Sequence, residues 1–320
     1  MIINHIPDKL RIVFFGTPEF AIPSLEALLS NGYEPLLVVT NPDEPAGRKQ
    51  IITSPPAQIY AKRHHIPIFQ PAHLAQEFIN IPDADLFIIV AFGSMIPQAL
   101  IDKPRYGALN IHPSLLPRWR GPSPIQSAIL HGDVKTGVTL IQIDKLMDHG
   151  PILMQENFSL TEKKWVFPQL HDALANLGAK MLINVLPQWI DGTLIATPQD
   201  DMRVSYCKLL KKDDGRITWS RSADEIERMI RAYTPWPSAW TLWPGRDKIY
   251  RIRIDEANVI SDECSVGSPG YVWQTNSASL LIKTGKGTLD VQKITIEGKT
   301  TLDAYSFLHG NPELMGATFV

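Results

Sequence analysis

Residues suited to proton transfer lie where one short apolar segment ends and at a later turn. Asn110 and His112 flank Ile111 at the end of this segment, and Asp148 lies within the turn-like segment 146–151. On a strand, Asn110 and His112 point to one side while Ile111 points to the core. A carboxylate beside the imidazole would orient it and favour its protonated form. The alternatives are a core histidine with satisfied hydrogen bonds and an aspartate that only stabilises a turn.

The surroundings of His112 favour a ligand site over a core histidine. A polar Asn precedes it, and Pro113 begins a loop rich in proline and arginine that continues to Gln126. Open α/β sheets bind ligands at the carboxyl ends of their strands, which is where we place His112.

The elements that must position these residues alternate between strand and helix. This alternation predicts right-handed crossovers and an open, mostly parallel, Rossmann-like sheet. A helix after Gly16, capped by Thr17, should end near Asn31 and Gly32. The mixed polarity of Thr136–Ile143 predicts an antiparallel strand at the sheet edge. The predicted parallel strands are Leu10–Phe15, Pro35–Val39, Leu86–Ala91 and Gly107–Ile111.

The glycines after the first strand do not form a dinucleotide-binding fingerprint. The segment Gly16–Phe20 lacks the full G-x-G-x-x-G pattern and places Pro18 and Glu19 where pyrophosphate would need bare backbone N–H groups. The sequence therefore predicts a Rossmann-like sheet that does not bind a nicotinamide cofactor.

The second part of the chain changes to short strands. Predicted helices at Phe167–Trp189 and Ala223–Ala232 precede pieces separated by Gly and Pro, which is typical of a small β-barrel. We predict a catalytic domain at 1–189, a linker at 190–206 and a C-terminal domain at 207–320. The predicted strands of the second domain are Lys248–Ile254, Gly270–Trp273, Ser279–Lys283 and Thr288–Ile296.

Composition excludes several classes of protein. Hydrophobic residues make up 44% and charged residues 20% of the 320 residues, which is typical of globular proteins. The net charge of −2 makes the chain far less basic than a generic DNA-coating protein. Its two cysteines, Cys207 and Cys264, form no C-x-x-C pattern, so we expect neither a zinc site nor a disulfide framework. Without an apolar run of transmembrane length or a signal-peptide pattern, we expect a cytoplasmic protein that does not enter a membrane.

Two groups of basic residues could contact phosphate. One is the loop after the second strand, where Gly47 gives bending freedom to Arg48 and Lys49; the alternative is a solvated loop. The other is spread through the second domain among acidic residues, so a mixed solvated surface is an equal alternative. Core positions are expected for Trp219, Trp236, Trp240, Trp243 and Trp273.

Four motifs along the chain together resemble those of one enzyme family. They are Gly-Thr-Pro-Glu-Phe from Gly16, Pro-Ala-Gly-Arg from Pro45, Asn-Ile-His-Pro-Ser-Leu-Leu-Pro-Arg-Trp-Arg-Gly from Asn110, and Met-Asp-His-Gly from Met147. The chain thereby resembles the 10-formyltetrahydrofolate-dependent formyltransferases over almost its whole length. That resemblance implies a Rossmann-like catalytic domain followed by a small OB-fold-like β-barrel domain.

The resemblance implies a catalytic trio of Asn110, His112 and Asp148, with 10-formyltetrahydrofolate as formyl donor and no metal. An amine would attack the formyl carbon, and Asn110 with protonated His112 would stabilise the charge on the formyl oxygen. Asp148 would accept the amine proton directly or through water. The implied folate-binding residues are Phe92, Gly93, Ser114, Leu115, Leu116, Pro117 and Met147.

Pro45–Arg48 and Ile125-Gln126 resemble the branch of the family that acts on tRNA. The implied acceptor is the α-amine of methionine on initiator methionyl-tRNA, for translation initiation, and we expect a monomer. The tRNA-binding residues implied are Arg48, Lys49, Lys208 and Lys211.

Two further functions stay open at this point. One is formylation of an amino-sugar nucleotide or of glycinamide ribonucleotide; the other is a non-catalytic RNA-binding module derived from an enzyme. The sequence also departs from the family at His149, where a small polar residue is usual, and at Phe92, where Tyr is common. His149 would either perturb the titration of Asp148 or point to solvent.

Overall fold

A computed structural model describes residues 10–47, 50–245, 247–260, 267–274 and 279–320. Contacts divide these residues into two units. The first comprises the described residues through Pro124, together with Lys135–Thr161 and His171–Lys208. The second comprises Ile125–Val134, Glu162–Leu170 and the described part of Leu209–Val320. The predicted domain limits at 189 and 207 stay a prediction.

The first unit contains a mostly parallel sheet in the order β5-β2-β1-β6-β7-β8-β9. The first five strands in this order pair in parallel, whereas β8 and β9 are antiparallel. The sheet strands are β1 (Ile12–Gly16), β2 (Leu37–Val39), β5 (Ile68–Phe69), β6 (Leu86–Val90), β7 (Ala108–His112), β8 (Lys135–Gln142) and β9 (Ile152–Ser159). A separate ribbon pairs β3 (Glu44–Ala46) with β4 (Ile51–Thr53).

Four helices lie between strands of the parallel part: α1 (Ile22–Ser30), α2 (Pro56–Arg63), α3 (Leu74–Glu77) and α4 (Gln98–Ile101). Helix α5 (Pro124–Leu130) follows β7 in the sequence, and its residues from Ile125 belong to the second unit. Helix α6 (Phe167–Ile190) follows β9. Every residue of β1 and β6 is buried, as expected for central parallel strands covered on both faces. Phe15 packs edge-to-face against Phe87 and Phe92 within this core, with ring centroids 5.2 and 5.4 Å apart.

The second unit contains an antiparallel sheet in the order β10-β11-β14-β13-β12, with β15 also paired to β14. Besides α5, it contains the helices α7 (Ala223–Tyr233) and α8 (Ala304–Gly310). Helix α7 begins at a capping box, in which the Ser222 hydroxyl accepts from the Glu225 N–H and the Glu225 carboxylate accepts from the Ser222 N–H. The strands are β10 (Ala239–Pro244), β11 (Ile249–Ile260), β12 (Val272–Trp273), β13 (Leu281–Lys283), β14 (Thr288–Ile296) and β15 (Leu302–Asp303).

The predicted fold class is confirmed: a Rossmann-like sheet is followed by a β-rich domain. Three local predictions are wrong. Thr17 does not cap the first helix, because its hydroxyl donates to the Phe92 carbonyl at 2.9 Å. The strand predicted over Thr136–Ile143 is antiparallel but not at the edge, since β9 pairs with its far side. Of the five tryptophans predicted in the core, Trp236 is 53% exposed and Trp240 and Trp273 are only half-buried.

Candidate active site

Strand β7 carries two of the three predicted catalytic residues. It pairs with β6 on one side and with β8 on the other, so its backbone is fixed from both directions. Ile111 is 2% exposed, and its Cγ2 would lie 2.6 Å from a Cβ added at Gly178 of α6. Ile111 thus points to the core, as the alternation predicts, and Asn110 and His112 point to the opposite face.

The imidazole of His112 lies between a carbonyl and a carboxylate. Its Nε2 is 2.9 Å from the Trp119 carbonyl oxygen, and its Nδ1 is 3.5 Å from Asp148 Oδ1. A carbonyl oxygen only accepts hydrogen bonds, so Nε2 must carry a proton. Protonation at Nδ1 would then turn an N–H toward Asp148. Because 3.5 Å is longer than a strong hydrogen bond, this N–H remains available to a reacting oxygen.

Asn110 and His112 meet at one oxygen of Asp148. Asn110 Nδ2 lies 3.4 Å from Asp148 Oδ1, the atom that also faces His112 Nδ1. The other oxygen, Oδ2, accepts a 2.8 Å hydrogen bond from the Gly121 N–H. Two side-chain nitrogens, Asn110 Nδ2 and His112 Nδ1, and a carboxylate therefore converge on one small volume at the carboxyl end of β7.

Both Asp148 and Gly121 adopt backbone conformations with a positive φ, which bring the carboxylate and the N–H together. Asp148 adopts a φ of +50°, a left-handed conformation that aspartate tolerates better than most residues. Gly121 has a φ of +117°, and a Cβ there would lie 2.5 Å from the Cys207 carbonyl oxygen. A side chain at 121 would therefore displace the N–H that holds Asp148. Burial raises the pKa of the neighbouring Cys207 thiol, which favours its neutral form.

The loop after His112 is held against β8 and β9. Thr139, opposite His112 in the β7–β8 register, donates from Oγ1 to the Ser114 carbonyl at 2.6 Å and accepts from the Leu116 N–H at 3.1 Å. Gln155 donates to both the Leu116 carbonyl and Thr139 Oγ1, at 2.9 Å each. This cluster was not predicted, because its partners come from three separate segments.

The predicted folate residues differ in accessibility. The Ser114 side chain is buried and donates to the Arg118 carbonyl at 2.6 Å, and Leu116 is buried as well. Leu115 and Pro117 are half-buried, whereas Met147 is 66% exposed. Of these residues, Leu115, Pro117 and Met147 are therefore accessible to a ligand, whereas the side chains of Ser114 and Leu116 are not.

The predicted residues near the end of β6 also divide into buried and exposed groups. The Phe92 ring is 3% exposed and belongs to the core, and its carbonyl already accepts from Thr17 Oγ1 and from Asn41 Nδ2. Gly93 is exposed, with a φ of +83°. Only Gly93 of this pair presents free surface.

His149 turns both ring nitrogens toward carboxylates other than Asp148. Its Nδ1 is 2.6 Å from Asp144 Oδ2, and its Nε2 is 3.6 Å from Asp201 Oδ2. Asp201 also accepts from the Arg120 guanidinium at 2.9 Å, and that hydrogen bond holds the pKa of Asp201 below its usual value. The His149 ring therefore neither contacts the Asp148 carboxylate nor points freely into solvent.

The predicted tRNA residues belong to separate segments of the chain. Arg48 and Lys49 lie outside the described residues, between β3 and β4. Lys208 is the last residue of the first unit, and Lys211 lies near the start of the segment of the second unit that begins at Leu209. Both are exposed. In the second unit, the Arg251 guanidinium lies 3.8 Å from the ring centre of the half-buried Trp240.

Arg216 extends this basic and aromatic patch, with its guanidinium carbon 5.9 Å from the same ring centre of Trp240.

Across the described ranges, no group of three or more His, Cys, Asp or Glu side chains is arranged to hold a metal ion. None of the helices in the described part of the chain combines the length and the apolar character that crossing a membrane requires.

Comparison with family models shows matches to both parts of the chain. The model described as formyl transferase matches residues 10–186, and the model described as formyl transferase, C-terminal domain, matches residues 209–312. A relative from Geobacter metallireducens, named methionyl-tRNA formyltransferase, is 37% identical over 306 residues. That alignment covers 94% of this chain and 96% of the relative.

Solved structures with the same fold were determined with different ligands. An N-formyltransferase from Helicobacter canadensis, solved with folinic acid and dTDP-3-aminofucose, has a TM-score of 0.64 at 19% identity and covers 88% of this chain and 98% of its own. HypX from Aquifex aeolicus, in complex with tetrahydrofolic acid, has a TM-score of 0.63 at 19% identity and covers 94% of this chain. This chain spans about half of HypX, 47% of its length.

Proposed function

Because this chain belongs to the formyl transferase family, we propose that it transfers the formyl group of 10-formyltetrahydrofolate to the α-amine of methionyl-tRNA, with Asn110, His112 and Asp148 as its catalytic residues. The observation that carries the assignment is the convergence of Asn110 Nδ2 and His112 Nδ1 on Asp148 Oδ1, at 3.4 and 3.5 Å. The relative from Geobacter metallireducens, similar over almost the whole of both chains, supports methionyl-tRNA as the acceptor.

The chemistry of the trio follows from its donors and its acceptor. The bound folate supplies an activated formyl carbon, and attack by the neutral amine moves negative charge to the formyl oxygen. Asn110 and protonated His112 donate hydrogen bonds to that oxygen, and such donors provide much of the rate enhancement in acyl transfer. Asp148 stabilises the imidazolium and accepts the proton of the attacking amine, directly or through one water. The bond between the formyl carbon and N10 of the folate then breaks, the proton held by Asp148 passes to N10, and tetrahydrofolate leaves. The side chains form no covalent intermediate in this sequence.

The donor site that we propose lies around the carboxyl ends of β6 and β7. Exposed backbone at Gly93 and exposed apolar surface at Met147 fit a planar heterocycle that is read by peptide groups. Leu115 and Pro117 add half-buried apolar surface on the loop that Thr139 and Gln155 fix. The fixed loop supports a preorganised binding surface.

For the acceptor, we propose that exposed cations contact tRNA phosphates. Lys208 and Lys211 are exposed, and Arg48 and Lys49 follow the ribbon strand β3. In the second unit, Arg251 over Trp240 provides both a cation and an aromatic surface, which together suit a nucleic acid. We further propose that the protein acts as a cytoplasmic monomer in translation initiation.

One assay tests this function against the alternatives. Purified protein is given 10-formyltetrahydrofolate with initiator methionyl-tRNA, a nucleotide-linked amino sugar, or glycinamide ribonucleotide, and the formylated products are measured. We expect formylmethionyl-tRNA as the product formed with the highest kcat/KM. Preferred formylation of the amino sugar would overturn the acceptor assignment, and the absence of any transfer would favour a non-catalytic module.

A further inference from the structure

Gln199 connects a buried arginine to the turn that carries Asp148. Its Nε2 donates at 2.8 Å to the Asp148 carbonyl and at 2.8 Å to the Gly150 carbonyl. Its Oε1 accepts from Arg120 Nε at 3.0 Å and from Arg120 Nη2 at 2.8 Å. One side chain therefore satisfies four hydrogen bonds, although it is 51 residues away from Asp148 in the sequence.

These partners allow only one orientation of the Gln199 amide. The guanidinium only donates hydrogen bonds, so it must face the amide oxygen. The two carbonyls only accept, so they must face the amide NH₂ group. A glutamate at this position would keep the bonds to Arg120 but would direct an oxygen at both carbonyls.

The Asp148 turn requires an external support of this kind. Asp148 holds a left-handed φ of +50°, a conformation that is unfavourable for most residues and persists where the surroundings determine it. Its carboxylate makes long contacts to Asn110 and His112, so those contacts do not define its position closely. The short bonds from Gln199 to the carbonyl oxygens of Asp148 and Gly150 do define it.

Arg120 supports Asp148 by a second route. Its side chain is 4% exposed and is held by Gln199 and Asp201. The next residue in the chain is Gly121, whose N–H donates to Asp148 Oδ2 at 2.8 Å. Gln199 therefore connects Arg120, which precedes the residue that binds the Asp148 carboxylate, to the backbone that carries Asp148.

We propose that Gln199 is a positioning residue for the catalytic Asp148, which it holds through the carbonyls of Asp148 and Gly150 against the buried Arg120. This inference rests on the proposed function. It assigns a reaction role to a segment that the sequence places in the linker between domains. A displacement of about 1 Å in a reacting group costs on the order of 100-fold in rate.

The test compares Gln199→Glu and Gln199→Met with Gln188→Glu as the matched control. Gln188 is an exposed helical glutamine whose amide donates to the Asn184 carbonyl. We expect both Gln199 variants to lower kcat about 10-fold to 100-fold, with KM for folate and for methionyl-tRNA within about two-fold of the wild type. The control should retain the wild-type kcat. The use of two variants keeps the test valid if one of them fails to fold.

A double-mutant cycle separates positioning from general damage. If Gln199 acts through Asp148, Gln199→Met should lower kcat far less in an Asp148→Asn background than in the wild type. Fully additive losses, or a kcat for the Gln199 variants equal to that of the control, would overturn the inference.

A spectroscopic measurement separates this inference from the proposed function. The imidazole ¹⁵N shifts of His112, measured without any substrate, should change in Gln199→Met in the same direction as in Asp148→Asn. Unchanged His112 shifts in Gln199→Met would overturn the positioning role. If the wild type formylates none of the acceptors, the proposed function fails, and the His112 shifts still decide the role of Gln199.

Discussion

At the scale of the residue, the proposed mechanism requires Asn110 and His112 each to donate one hydrogen bond to the charge that develops on the formyl oxygen. Loss of one such donor typically costs about 10²–10³ in rate. We predict losses of this size in kcat for Asn110→Ala and for His112→Ala, with circular dichroism like that of the wild type. A purified His112→Ala protein with near-normal turnover would contradict the mechanism.

His149 tests whether the neighbour of Asp148 influences the reaction. Its ring, one-third exposed, contacts Asp144 and Asp201 and not Asp148, so these are surface contacts of small energetic weight. We predict that His149→Thr leaves the pH–rate profile unchanged and lowers the melting temperature only slightly. A shifted limb in that profile would show coupling to Asp148, and Asp148→Asn supplies the reference for such a shift.

At the scale of the element, the buried Thr139 hydroxyl joins β8 to the loop after β7. Thr139→Val keeps the shape but leaves the Ser114 carbonyl and the Leu116 N–H with fewer partners. We predict a loss of about 1–3 kcal/mol in the free energy of unfolding, together with a raised KM for folate. Denaturant unfolding and steady-state kinetics measure the two effects.

Thr136 on the same strand is the matched control. Its hydroxyl is buried and has no hydrogen-bond partner among the described residues. Thr136→Val therefore removes an unsatisfied polar atom, and we expect unchanged or increased stability. If both variants lost equal stability, the Thr139 effect would come from the strand in general and not from the loop contact.

The elements that could be predicted are those whose sequence pattern matches their burial. Strands β1 and β6 are apolar throughout because both faces are covered, and α6 matches its predicted start at Phe167. Strand β9 could not be predicted, because half of its residues are polar and all but one are half-buried or exposed. Thr17 resembles a helix cap in sequence, but its hydroxyl bonds to a residue that lies 75 positions away.

The candidate site divides in the same way. Alternation about Ile111 placed Asn110 and His112 on one side of a strand, and this local geometry depends only on neighbouring residues. The supports of Asp148 could not be predicted, since Gly121 and Gln199 reach it from 27 and 51 residues away. No local pattern identifies such partners.

At the scale of the whole molecule, recognition of a large polyanion should depend on salt. We predict that Arg48→Ala weakens use of methionyl-tRNA and leaves folate KM nearly unchanged, because a guanidinium can meet two phosphate oxygens. Raised salt should shrink the difference from the wild type, as phosphate contacts release counterions. Lys49→Ala should have a milder effect. Unchanged methionyl-tRNA kinetics for Arg48→Ala at low salt would contradict the assignment of this loop.

The second unit is built from three separate segments of the chain, and this affects the order in which the chain can fold during its synthesis. Arg231 Nη1 donates to the Trp165 carbonyl at 2.7 Å, and Arg228 Nε donates to the Leu130 carbonyl at 3.0 Å. The nearly buried Glu227 is neutralised by Arg231 and by Lys164 at 3.2 Å. A ribosome releases the segments around Leu130 and Trp165 long before α7, so they must wait for their partners. A gene divided after residue 208 would give a C-terminal product without Lys164. The buried Glu227 carboxylate would then keep only Arg231 of its two cationic partners.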